Sequence, residues 1–207
     1  MRLILVRHGE TDSNKAGLAL GQADIELNEH GRWQAQQLAL SLKHDPVAAI
    51  YSSPLKRALA TAEAIARPRA LQVQVEEGLI EMDIGEMEGL TFQQLRQRYP
   101  HFIQIWLGGQ VAYQRLPGGE RLVDVEERAW PAIERIRERH NQQTVVAVTH
   151  NFVILALLCR ALGLELADFR RLRHDVAAKS VLEMTGDRVI VAGLNDTCHL
   201  QEQSCTL

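Results

Sequence analysis

Apolar and polar positions along this chain switch between two periods, and the switching predicts strands alternating with helices. Leu3 to Val6 is a short continuous apolar run, as in a strand buried on both faces. A polar loop follows to Leu27. Asn28 can cap a helix whose apolar positions Ala35, Leu38, Ala39 and Leu42 recur at helical spacing and stop before Pro46. Val47 to Tyr51 is the next strand. Ser53-Pro54 has the form of an N-cap followed by proline at the first helical position, with Leu55, Ala58, Leu59, Ala62 and Ile65 on one face of the helix it opens. Leu71 to Val75 alternates as a strand does.

Between Glu81 and Gly119 the pattern loses its regularity. Thr91-Phe92-Gln93-Gln94 has capping-box form and predicts a short helix. Trp106, Gly108-Gly109 and Pro117-Gly118-Gly119 punctuate the rest, and residues 82–119 are expected to form a cap over the ligand edge of the sheet. A long helix follows with Leu122, Val125, Ala129, Ile133 and Ile136 as its buried stripe. Thr144 to Val148 is a strand and Phe152 to Leu162 a helix. Ser180–Met184 and Arg188–Leu194, joined around Gly186-Asp187, predict a hairpin. The whole implies an α/β fold: a three-layer sandwich with a mainly parallel central sheet and an antiparallel edge hairpin. At 207 residues, one domain over 1–207 is the simplest organisation.

Composition narrows the function. With 23 basic against 26 acidic residues there is no basic field to hold a nucleic acid. The apolar run before Arg7 is too short for a signal peptide or a membrane span. Cys159, Cys198 and Cys205 are an odd number without metal-ligand spacing, which suits a reducing, cytoplasmic setting.

Two of the predicted strands end in a histidine. Leu5-Val6 runs into Arg7-His8-Gly9, and Val146-Ala147-Val148 into Thr149-His150. Open α/β sheets place ligands at such strand ends, and a cation beside imidazoles lines an anion pocket. Phosphate chemistry is the leading reading.

Arg7-His8-Gly9 resembles the signature of the histidine phosphatase superfamily, also called phosphoglycerate-mutase-like. Tyr51 to Ala62, including Ser53-Pro54-Leu55-Lys56-Arg57, resembles the family's second block. Leu79-Ile80-Glu81 with Gly85 and Glu88-Gly89 resembles the block that carries its acid, and Val148-Thr149-His150 the block of its second histidine. The resemblance spans most of the chain in the family's order and implies a phosphoglycerate-mutase-like fold. It implies His8 as nucleophile, Arg7, Arg57 and Asn14 as phosphate ligands, His150 as electrostatic partner and Glu81 as proton donor, with no metal and no cofactor.

These roles agree with the residues' chemistry. Arginines neutralise a phosphomonoester dianion with paired N–H donors. A neutral imidazole can carry the phosphoryl group. A carboxylic acid can protonate the departing alkoxide; neighbouring negative charge is expected to keep Glu81 protonated. Gly9 is expected to allow a tight turn. His30, His44, His101, His140 and His174 lack a motif context and are expected at the surface, and Trp33, Trp106 and Trp130 in packing roles.

Glu10-Thr11-Asp12-Ser13-Asn14 on a short chain resembles the phosphatase branch. Asn195 to Leu200, with Asn141 to Val146, resembles the metal-independent phosphoserine phosphatases. Three positions depart from the usual pattern: Asn151 stands for a glycine, Ile84 for a polar residue, and Arg121 for the serine of Gly-Glu-Ser. The expected activity is hydrolysis of small phosphorylated metabolites through a phosphohistidine, with phosphoserine or a phosphoglycerate-like acid favoured. Arg115, Arg121, Arg170, Arg171 and Arg173 are the candidates for a substrate carboxylate. Broad-specificity, glucosyl-phosphoglycerate and α-ribazole phosphatases stay open. A phosphoglycerate mutase and a non-catalytic phosphate-binding module are the alternatives. The partner is a small molecule, neither nucleic acid nor membrane, and a homodimer is possible through the edge strand.

Overall fold

The computed structural model describes residues 1–108 and 112–201; Gly109 of the expected Gly108-Gly109 turn and Cys205 lie outside them. Six strands form one sheet in the order β3-β2-β4-β1-β5-β6. They are β1 (Arg2–Arg7), β2 (Val47–Ser52), β3 (Val73–Val75), β4 (Thr144–Thr149), β5 (Lys179–Thr185) and β6 (Arg188–Asp196). β3, β2, β4 and β1 are parallel, and β5 and β6 run antiparallel at the edge. The fold class expected from the sequence is the one observed.

Among the described residues seven α-helices complete the layers: α1 (Asp12–Lys15), α2 (Glu29–Ser41), α3 (Lys56–Ala66), α4 (Phe92–Arg98), α5 (Pro100–Leu107), α6 (Leu122–Arg139) and α7 (Asn151–Leu162). Leu3–Val6 of β1 and Val145–Val148 of β4, in the middle of the sheet, are apolar at every position because both faces are covered. Ile4, Val6, Ile50, Val146 and Val148 pack with Leu38 and Leu42 of α2 and Ala58, Ala62 and Ile65 of α3. The intervening residues Leu3, Leu5, Tyr51, Val145 and Ala147 pack on the other face with Val125, Ala129 and Ile133 of α6 and most of α7. β1 to β2 and β2 to β3 step one way across the sheet over α2 and α3. The return from β3 to β4 steps back over α6 on the opposite face. Right-handed crossovers require that change of face when the direction reverses.

Departures from the expected boundaries are few. α1 fell in the stretch read as loop; Thr11 caps it, accepting from Asn14 N at 3.2 Å while Asn14 Oδ1 accepts back from Thr11 N. α3 starts at Lys56, not at Pro54, with Leu55 and not Ser53 as its N-cap residue. Gly9 is not in the left-handed region. Its requirement is space: a Cβ there would lie 2.5 Å from the Gly31 carbonyl oxygen, so the loop after β1 packs backbone to backbone on the start of α2. α4 and α5 add Leu95, Phe102 and Ile103 to the α6–α7 core. None of the described helices is long and apolar enough to cross a membrane.

Candidate active site

Strand register brings the two histidines together. Arg7 pairs with Thr149 across parallel β1 and β4, so His8 and His150 leave the sheet side by side at its carboxyl edge. Parallel neighbours stand about 4.8 Å apart, and the two imidazole centroids are 5.1 Å apart. Both rings are buried.

The His8 tautomer follows from its neighbour. Nδ1 lies 2.7 Å from the Gly9 carbonyl oxygen, which can only accept, so Nδ1 carries the proton and Nε2 a lone pair. Burial, reinforced by the Arg57 and Arg7 cations, holds this imidazole well below its usual pKa. It is a neutral imidazole whose Nε2 lone pair is set by a backbone contact.

Arg57 is fully buried, although it lies off the apolar face of α3. Nη1 donates to the Ala23 carbonyl at 2.7 Å and Nη2 to the Gly21 carbonyl at 2.6 Å, while Nε donates toward His8 Nε2 at 3.3 Å. The 21–23 loop is itself held by Glu88, whose carboxylate accepts from the Gly21 and Ala23 N–H groups. Arg7 donates from Nη1 to the His174 carbonyl at 2.5 Å and to Asn151 Oδ1 at 3.1 Å. Asn151 therefore anchors Arg7. Its Nε and His150 Nδ1 are buried and unpaired.

Glu81 is buried too. Oε1 accepts from Met82 N at 2.8 Å and Oε2 from Phe152 N at 3.4 Å. Its pKa is raised, but the cause is burial. The neighbouring charges are the Arg57 and Arg7 cations, which pull the other way, so the expected negative neighbours are corrected. The Glu81 carbonyl is fixed by Gln22 Nε2 at 2.9 Å and Arg128 Nη2 at 3.0 Å.

Several participants were misread or missed. Ser53, read as a helix cap, meets His150 Nε2 through Oγ at 2.7 Å; its place at the end of β2, beside the histidine-ended β4, was the available signal. His174, expected at the surface, is buried, bonds Ser180 Oγ at 2.9 Å and is depressed to about 4, chiefly by burial. His140 Nε2 meets the Tyr51 hydroxyl at 2.9 Å. Asn14 stands on α1 with Oδ1 turned to Thr11; no hydrogen bond among the described residues ties it to His8, Arg7 or Arg57. The carboxylate-reading arginines have other partners. Arg115 and Arg121 pair with Asp124, Arg171 with Asp168 and Arg173 with Asp175. Arg170 lies over the Trp106 and Phe169 rings. No group of three or more His, Cys, Asp or Glu side chains among the described residues could hold a metal ion.

The model of the histidine phosphatase superfamily, branch 1, matches residues 3–197. Phosphoserine phosphatase 1 of Hydrogenobacter thermophilus is 39% identical over 204 residues, covering 98% of this chain and 95% of its own. Among solved structures, Bacillus stearothermophilus YhfR superposes with a TM-score of 0.89 at 33% identity, covering 97% of this chain and 99% of its own. A mycobacterial glucosyl-3-phosphoglycerate phosphatase in complex with VO3 gives 0.87 at 32% identity, covering 95% and 99%. Family model, relatives and the paired histidines agree: the chain belongs to the histidine phosphatase superfamily and is a phosphomonoesterase of that family.

Proposed function

We propose that the chain hydrolyses small phosphomonoesters through a covalent phosphohistidine on His8, without a metal ion. The observation that carries this is the His8 ring itself. Nδ1 is tied to Gly9, and Nε2 keeps the lone pair, met only by the long contact from Arg57 Nε at 3.3 Å. Arg57 and Arg7 supply the positive charge that a phosphate dianion needs. Ser53 Oγ accepts from Leu55 N and meets His150 Nε2. Donation of the Ser53 hydroxyl to Nε2 leaves the His150 ring proton on Nδ1, a buried donor awaiting a phosphoryl oxygen, as is Arg7 Nε.

The reaction balances in two steps. Phosphate oxygens draw the Arg57 Nε donor off His8, and Nε2 attacks phosphorus as the ester P–O bond breaks. The departing alkoxide takes a proton from Glu81, whose carboxyl pKa burial raises. Glu81, now a carboxylate, takes a proton from water. The resulting hydroxide attacks phosphorus, the P–N bond breaks and His8 returns to its neutral form. Asn14 is assigned a supporting phosphate contact through its amide nitrogen. Cys159 is a buried free thiol and Cys198 an exposed one, which fits a reducing cytoplasm.

Rapid mixing with substrate, followed by a quench that spares acid-labile bonds, tests the reading. It should trap phosphate on the wild-type chain in an acid-labile, base-stable linkage, and none on His8→Ala, whose turnover should be lost. Full activity of His8→Ala would overturn the mechanism.

A further inference from the structure

The residues above account for the phosphoryl group and leave the rest of the substrate unassigned. Beside them, under α4 and α5, is a cavity of about 160 Å³. Its lining residues are tied to the reacting residues at three points. Leu20 adjoins Gly21, whose carbonyl holds Arg57. Ile84 follows Glu81 by three residues and sits against Gly21, where a Cβ would come within 2.7 Å of its side chain. Phe152 lines the cavity, and its own backbone N–H faces Glu81 Oε2 at 3.4 Å. Glu81 therefore stands against the backbone of a residue whose side chain lines the cavity.

The lining is apolar throughout. Phe102, Trp106 and Leu116 close it from the 82–119 segment, and among the described lining residues there is no cation, carboxylate, amide or hydroxyl. Only the indole N–H of Trp106 is polar. Trp106 packs on both Phe102 and Phe152, with centroids 5.6 and 5.9 Å away, so the wall is a braced aromatic group. A cavity of about 150 Å³ lined by Leu, Ile and Phe stays dry and admits benzene. The ammonium and carboxylate of phosphoserine would shed their water here and find no partner, which is costly. The five arginines that could have met a carboxylate are paired or stacked elsewhere.

We propose that this cavity receives the organic part of the substrate, and that the preferred substrates are phosphomonoesters with an apolar body the size of one aromatic ring or a short branched chain. This rests on the phosphatase reading of His8, Arg57 and Glu81.

The test compares benzyl phosphate, ethyl phosphate and phosphoserine, all of which release a primary alcohol and so place a similar demand on Glu81. Each buried methylene is worth about fourfold, so kcat/KM for benzyl phosphate should exceed both others by at least about tenfold. Ile84→Asn and Trp106→Ala should bring the benzyl-to-ethyl ratio down by at least about fivefold. Taking the ratio within each protein cancels any loss common to both esters. A wild-type ratio near one, or phosphoserine ahead of benzyl phosphate, overturns the proposal, as does a ratio that survives both substitutions. If neither variant folds, the wild-type ranking decides. Calorimetric binding of the three esters to His8→Ala separates the two readings. Preserved ranking supports the cavity even where turnover fails, and a flat ranking sinks the cavity while leaving catalysis intact.

Discussion

Glu81→Gln isolates proton donation from everything else the site does. Glutamine keeps the size of the side chain. Its amide oxygen can accept from Met82 N, where Glu81 Oε1 now accepts at 2.8 Å. Its NH2 then faces the Phe152 N–H, donor against donor, so the looser contact at 3.4 Å is given up together with the dissociable proton while the Met82 contact is kept. General acid catalysis contributes about 10²- to 10⁴-fold, or about 3–5 kcal/mol of barrier. Alkyl phosphates should lose that much in kcat/KM. p-Nitrophenyl phosphate, whose phenolate leaves without help, should lose much less, because kcat/KM covers only the steps up to the phosphoenzyme. The pH profile supplies a second readout. Burial raises the Glu81 pKa, so wild-type kcat/KM for alkyl esters should be high below that raised value and fall as pH rises through it. His8 is held well below its usual range, so it stays neutral into the acid range. The variant should lose the alkaline fall. Steady-state kinetics over pH on a matched alkyl and nitrophenyl pair measures both. An equal loss on both esters, or an unchanged alkaline limb, would refute Glu81 as donor.

Three further outcomes are expected. Chelation should leave activity intact while vanadate inhibits, since Arg7 and Arg57 supply the charge; activity lost to a chelator and restored by a divalent ion contradicts this. Arg57→Lys should lower the unfolding free energy by about 2–4 kcal/mol in urea titrations, because one ammonium cannot serve the Gly21 and Ala23 carbonyls in the same fork and leaves a buried acceptor short; unchanged stability would mean the fork is dispensable. Acid should destabilise the fold through its buried histidines. His174 is depressed from 6.5 to about 4, so its contribution is full above about pH 6.5 and is lost as pH falls toward 4, a change of about 3 kcal/mol. His8 and His150 act in the same direction; Glu81, with a raised pKa, acts in the opposite one. Equal urea midpoints at pH 7 and pH 5 would count against the buried-histidine account.

Much of the architecture was legible because the parallel strands are buried on both faces. A strand such as Val145–Val148 can then carry only apolar side chains, and its pattern has few competing readings. The two histidines were legible for the same reason. A chain that changes abruptly from apolar residues to Arg-His or Thr-His must be leaving the sheet at that point, and the register of β1 on β4 brings the two exits together. α1 and the start of α3 were less legible. Ser53 satisfied every local rule for a helix cap, yet its hydroxyl is committed to an imidazole 97 positions away. The cavity was hidden as well. Leu20, Ile84, Trp106, Leu116 and Phe152 meet from separate segments, and no periodicity relates them.

Arg57 shows why such a site resists local reading, and what the fold gains by it. An arginine off the apolar face of a helix belongs in water unless distant backbone folds over it, and here residues 21–23 do so. Neither Arg7 nor Arg57 has a carboxylate salt bridge among the described residues; their recorded partners are the carbonyls of His174, Gly21 and Ala23, the Asn151 amide oxygen and a neutral imidazole. Burial lowers the pKa of both guanidiniums and raises that of Glu81, the one carboxyl between them. Two buried cations held by neutral acceptors are costly to the fold. A carboxylate partner would relieve that cost and would also compete with the substrate for the same N–H donors. A phosphate dianion relieves it without competition. On the proposed reading, the cost of holding two cations without a carboxylate partner is what favours a phosphate dianion at this site.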